Sequence, residues 1–127
     1  MNMGANTQVV AAAYAAFGRG DIGSLLDLMD DAVEWTSPRT LPQGGEYRGK
    51  LAVAKFFENI GAAWDPLTLE LEELGEFGDE VVVGVARLDG TRRNGPAAGY
   101  GSTHVFHVRK GKIVRFREYT DVNAPIA

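Results

Sequence analysis

The chain has 127 residues, with 13 Lys and Arg against 17 Asp and Glu, 16 Gly, no Cys and 45% apolar residues. That length predicts one domain over residues 1–127, because single cores usually run to about 100–200 residues and one of this size needs no disulfide or metal to hold together. The missing Cys excludes disulfide scaffolds, thiolate metal sites, iron–sulfur clusters and cysteine nucleophiles, and two His are too few for a multi-histidine metal site. The expectation is therefore a protein with no metal and no cofactor.

A net charge of -4 argues against a general nucleic-acid binder. The charge is uneven, with 14 acidic and 5 basic side chains before Val81 and 3 acidic and 8 basic from there on. Basic C-terminal strands pairing with an acidic neighbour account for this without a nucleic acid. The longest apolar run, Val9 to Phe17, is half alanine, follows no basic residue and is shorter than the roughly 20 residues that cross a bilayer. A cytoplasmic protein that binds no membrane is expected.

In chain order, Val10, Ala13, Tyr14 and Phe17 fall at i, i+3, i+4 and i+7 and predict a first helix over Thr7 to Phe17, capped by Asn6 or Thr7 and stopped by Gly18 and Gly20. Asp21 caps a second short helix with the stripe Ile22, Leu25, Leu26 and Met29, ended by Asp30-Asp31. Ala32 to Thr36 reads as a short strand stopped by Pro38, and Leu41 to Gly45 as a loop. Val53, Phe56, Phe57, Ile60 and Trp64 give the clearest helical spacing, a third helix over Lys50 to Trp64 closed by Asp65-Pro66.

From there the apolar period changes from 3.6 to 2. Leu67, Leu69 and Leu71 alternate with polar residues, and Glu73-Leu74 breaks the alternation as a bulge would. Glu80 to Asp89 is apolar on both parities and reads as a central strand. Arg92 to Pro96 is a loop, and Tyr100 to Arg109 with Lys112 to Asp121 form a hairpin across Lys110-Gly111. Helices first and antiparallel strands after mean an α+β fold with the helices on one sheet face. Three short helices cannot cover such a sheet, so a concave hollow fit for a small ligand is expected.

The runs GRGDIGSLLDLMDDAVEW, EYRGKLAVAKFF and HVFHVRKGKIVRFREYTD resemble the SnoaL-like branch of the nuclear transport factor 2-like superfamily, which includes ketosteroid isomerase-like and polyketide cyclase-like proteins. The resemblance spans nearly the whole chain. It implies a cone-shaped α+β barrel, a curved, mainly antiparallel sheet wrapped around the N-terminal helices, with the pocket between them, and a homodimer formed through the sheet. In the ketosteroid isomerases the general base is an aspartate on the first short strand. Trp35 occupies that position here, which excludes a steroid isomerase with its usual base. Tyr14 lies on the helix that carries the oxyanion tyrosine of those enzymes, and His104 matches their second oxyanion donor. The polyketide cyclases place an acid/base aspartate late in the chain, where Asp121 is the nearest match.

Strand parity gives a different answer for the last strand. Val114, Phe116, Glu118 and Thr120 share one face, and Ile113, Arg115, Arg117, Tyr119 and Asp121 the other. If the Val114/Phe116 side faces the hollow, Glu118 is inside and Asp121 outside. A carboxylate among aromatic rings has its pKa raised toward the range of a general base. His104 alternates with Ser102, Phe106 and Val108, whereas His107 shares the face of Val105 and Arg109; an imidazole in a pocket donates to a carbonyl or shuttles a proton near neutral pH.

The candidate catalytic set is thus His104, Asp121 and Glu118. The candidate substrate-binding set is Tyr14, Phe17, Trp35, Phe56, Phe57, Phe106 and Phe116, residue types that elsewhere simply fill cores. These choices describe a cofactor-free isomerase, cyclase or dehydratase acting on a small apolar carbonyl compound. The alternatives are a non-catalytic binding or dimerisation module and a single-stranded nucleic-acid binder using the basic C-terminal sheet. The glycines form no phosphate loop and no nucleophile elbow is present.

Overall fold

A computed structural model describes residues 4–126 of the chain. The element order is α1 (Ala5–Gly18), α2 (Ile22–Asp27), β1 (Met29–Ser37), β2 (Gly45–Arg48), α3 (Lys50–Ala63), β3 (Trp64–Phe77), β4 (Val81–Arg92), β5 (Ala97–Arg109) and β6 (Lys112–Thr120). The six strands form one sheet in the order β2-β1-β6-β5-β4-β3. Only the β1–β6 pairing is parallel, so the sheet is mixed and the fold is α+β. No helix among the described residues is long and apolar enough to cross a membrane.

The helix starts illustrate how local signals and tertiary partners divide the work. Asp21 caps α2 as its sequence predicts, with Oδ1 accepting from the Ser24 N–H at 3.1 Å. At α1 neither Asn6 nor Thr7 is the cap. Gly4 holds that position, and Thr7 is buried within the first turn. Its N–H and hydroxyl both donate to Oε1 of Glu76 on β3, at 3.0 and 2.7 Å. A carboxylate at the positive end of the helix does the cap's work from 69 residues away.

Two expected helix ends shift because the sheet competes for them. Met29 opens β1 rather than ending α2, opposite Ile113 of β6, whose N–H donates to the Leu28 carbonyl. Trp64 opens β3 rather than ending α3 and is buried in a second cluster with Leu41, Ala86, Leu88 and Tyr100. The four-residue β2, which begins at Gly45 where the expected loop ends, is not assigned from sequence and pairs with β1 through Trp35↔Tyr47 and Ser37↔Gly45; it is too short to display a period. The expected bulge near Glu73 is present as a register shift between Leu71 and Glu73. The hairpin turns at Lys110 and Gly111, both with positive φ.

The inner sheet face carries Val33 and Trp35 of β1, Val82 and Ala86 of β4, His104, Phe106 and Val108 of β5, and Phe116 and Glu118 of β6, all buried. One parity assignment is corrected. Ile113, not Val114, is buried beside Phe116, because a register shift between His107 and Val108 pairs Arg115 with His107 and Ile113 with Val108 and leaves Val114 as the extra residue. Beyond the bulge the predicted alternation holds, with Glu118 inside and Arg117 and Tyr119 outside.

Candidate active site

The helices and the inner sheet face line a partly open cavity of about 60 Å³. Tyr14 and Phe17 reach it from α1, Phe56 and Phe57 from α3, Trp35 from β1, His104 and Phe106 from β5, and Phe116 and Glu118 from β6. The wall is otherwise aliphatic apart from Gln43. Asp121 is not there. It lies exposed past the end of β6, with Oδ1 accepting from the Gly101 N–H at 2.9 Å. His107, as its parity predicts, points to the opposite face of the sheet from His104.

Nine of the ten candidates therefore converge on one space, and three of them are joined. The Tyr14 hydroxyl lies 2.7 Å from Nδ1 of His104. On the other side of the ring, Nε2 lies 3.2 Å from Oε2 of Glu118 and 2.9 Å from the Ser102 hydroxyl. Ser102 donates to Glu118 Oε2 at 2.7 Å, and Ser37 donates to Oε1 at 2.6 Å. Ser37, Ser102, His104 and Glu118 are all buried.

Counting protons assigns the tautomer. Ser102 has one hydroxyl proton and gives it to Glu118, so its oxygen can only accept from His104. A bare Nε2 would also face Oε2 with acceptor against acceptor. Nε2 therefore carries a hydrogen, and in the neutral ring Nδ1 is the acceptor of the Tyr14 O–H.

Electrostatics follow from the same contacts. Burial alone pushes the Glu118 carboxyl up. The hydrogen bonds from His104 and from the Ser37 and Ser102 hydroxyls outweigh burial and hold the carboxyl below its ordinary range. Glu118 is thus an ionised, fully engaged carboxylate rather than the raised acid expected from a site among aromatic rings. The Tyr14 hydroxyl is pushed well above its ordinary pKa by burial and then by the Glu118 charge. It stays protonated.

Three contributors carry no sequence motif. Ser37 shares the parity of Trp35 on β1, and Ser102 that of His104 on β5, so strand alternation was the signal that could have found them. Gly84 stands directly opposite His104 in the sheet. A Cβ there would clash with the Tyr14 hydroxyl, so the missing side chain is the slot through which Tyr14 reaches the ring. Among the described residues no group of three or more His, Asp and Glu is placed to hold a metal ion.

The chain is similar to several solved structures. A nuclear transport factor 2-like protein from Burkholderia thailandensis is 35% identical, with 94% of this chain and 92% of that one covered and a TM-score of 0.86. A second such protein, of unknown function, from Burkholderia pseudomallei is 29% identical with the same coverage and the same TM-score. TerC, co-crystallised with polyporic acid, is 26% identical, with 93% and 92% covered and a TM-score of 0.83. No curated protein matches the chain. The sequence profile of the SnoaL-like domain matches residues 10–116, and the chain belongs to the SnoaL-like domain family.

Proposed function

We propose that the chain binds a small, flat, largely apolar carbonyl compound in this cavity and moves a proton on it without a cofactor, in a reaction of the isomerase, cyclase or dehydratase type. The observation that carries this reading is the buried line Tyr14–His104–Glu118 in an apolar wall. A fixed imidazole with an acceptor on the Tyr14 side and a carboxylate behind it is a proton carrier. The crystallisation of the similar protein TerC with polyporic acid is consistent with a small ligand.

In this reading the Tyr14 oxygen takes a proton from the carbon next to the carbonyl while its own proton passes to Nδ1 of His104. The phenolate never stands free, as its raised pKa requires. Glu118 balances the imidazolium formed and holds the ring through Nε2, so it positions rather than attacks. The Nδ1–H then donates to Tyr14, whose O–H turns to the oxyanion developing on the ligand, in a site where little water weakens that bond. Returning the proton to a second carbon completes an isomerisation with no net change in the protein.

The same reading includes a homodimer packed through the outer sheet face. Phe77 and Tyr119, 61% and 54% exposed, stand there near the partly buried Val83 and Val105. The competing reading is a binder that leaves its ligand unchanged, favoured by the fact that every atom of the network already has a partner.

The test is deuterium exchange at the carbon beside the carbonyl of acetophenone homologues, followed by NMR in heavy water. The expected result is exchange that depends on the protein and falls about a hundredfold or more in His104→Gln and Tyr14→Phe. Ligand bound without accelerated exchange would establish the binder instead.

A further inference from the structure

The chain has two tryptophans, both almost fully buried, at 5% exposure for Trp35 and 2% for Trp64. Their indole N–H groups differ. Trp64 donates to Oε1 of Gln43 at 3.0 Å. Trp35 Nε1 has no hydrogen-bond partner among the described residues. The two other buried polar side-chain atoms in that condition, Thr40 Oγ1 and Tyr100 OH, are on residues that do not line the cavity; Trp35 does.

The surroundings of Trp35 offer it no strong acceptor. Its ring stacks on Phe116 at 3.8 Å with planes 15° apart, and Phe56 and Phe57 stand at 5.7 Å, inclined by 56° and 63°. Aromatic faces are weak acceptors at best. A buried donor left unpaired destabilises the fold, whereas an acceptor entering the cavity recovers that loss. Phe116 also touches the proton carrier, with its ring centroid 5.2 Å from that of His104. One small molecule against Phe116 can therefore meet both.

We propose that the Trp35 Nε1–H is the cavity's orienting donor and selects ligands that carry an acceptor oxygen over hydrocarbons of the same shape. This inference rests on the small-molecule reading above but not on catalysis. Trp35 decides which molecule is held and how it lies, and Tyr14 with His104 decides what happens to it. The ligand class becomes a neutral planar ring compound bearing a carbonyl or comparable acceptor, because a pure hydrocarbon leaves the indole unpaired and an added anion would meet the Glu118 carboxylate.

The probe pair is acetophenone and α-methylstyrene, which differ by an oxygen in place of a methylene. Both affinities are measured by calorimetry on the wild-type protein and on Trp35→Phe. The expected result is that the ketone-to-alkene affinity ratio falls about fivefold in Trp35→Phe, the weight of one hydrogen bond, and is unchanged in His107→Gln, on the opposite face of the sheet. In ¹⁵N NMR spectra of the wild-type protein, acetophenone is expected to move the Trp35 indole signal downfield and leave that of Trp64 in place, with α-methylstyrene moving neither downfield. The NMR arm decides alone should Trp35→Phe not fold. A ratio unchanged by Trp35→Phe, a Trp35 signal that answers both probes alike, or binding of neither probe overturns the proposal. Absence of protein-dependent exchange in the wild type, with these ratios and shifts as expected, overturns the catalytic reading and leaves the donor role of Trp35 standing.

Discussion

The two histidines lie three residues apart on β5, yet they have entirely different surroundings. His104 faces inward, is 4% exposed, and has both ring nitrogens engaged by Tyr14, Ser102 and Glu118. His107 faces outward among Arg109, Arg115 and Arg117, with Glu80 the one nearby group favouring its charged form. The strand's pleat separates them, since an odd spacing puts two residues on opposite faces. Residue type is the same in both cases, and in the proposed function it is the face with a carboxylate behind it and a cavity in front that makes a proton carrier of one.

The sharpest way to break that contrast is through Glu118. Glu118→Ala strands the donors of Ser37, Ser102 and His104 in a buried site, and a loss of about 3 kcal/mol in urea unfolding is expected, because removing one side of a buried charged network leaves the other uncompensated. Glu118→Gln tests the charge alone. The folded carboxyl titrates below its ordinary value near 4.5, so its stabilisation is fully present above that value and is lost as the pH falls through the lower folded pKa. The wild type is expected to lose stability in that window and Glu118→Gln to show a flatter acid limb. Equal acid limbs would mean that Glu118 is not held ionised by its neighbours.

Gly84→Ala probes the other side of the ring. A methyl group that overlaps the Tyr14 oxygen forces the tyrosine or the strand to move, at a cost of about 1–3 kcal/mol. Exchange activity is expected to fall as far as in Tyr14→Phe, since both changes break the same hydrogen bond. The smallest effect belongs to His107→Gln. Burial and the neighbouring arginines hold the His107 pKa below 6.5 in the fold, so its protonation favours the unfolded chain and costs stability as the pH falls below 6.5. The variant is expected to match the wild type at pH 8 and to be slightly more stable at pH 5, by no more than about 0.5 kcal/mol. A large activity loss in His107→Gln would erase the distinction between the two faces.

Legibility of the site tracked the range of the interactions involved. His104 among Ser102, Phe106 and Val108, and Glu118 beside Phe116, were readable because a strand of known period assigns faces by counting. The family comparison pointed to Asp121, whereas parity pointed inward for Glu118, and the structure puts Glu118 in the cavity wall and Asp121 on the backbone of Gly101. Counting failed at Val114, where one bulged residue reverses the parity of everything before it. It also failed at Trp64, whose helical spacing was outweighed by the second core cluster.

By itself the sequence determined the kinds of element, their order and the inward set of aromatic rings, because helix and strand periods are local and each segment carries its own. It could not determine who holds whom. Tyr14 meets His104 from 90 residues away and Ser37 meets Glu118 from 81, and Gly84 matters only because of the ring that passes it. Those pairings, and with them the protonation of the site, were decided by the tertiary packing, which alone brings distant donors within reach of a carboxylate shut away from water.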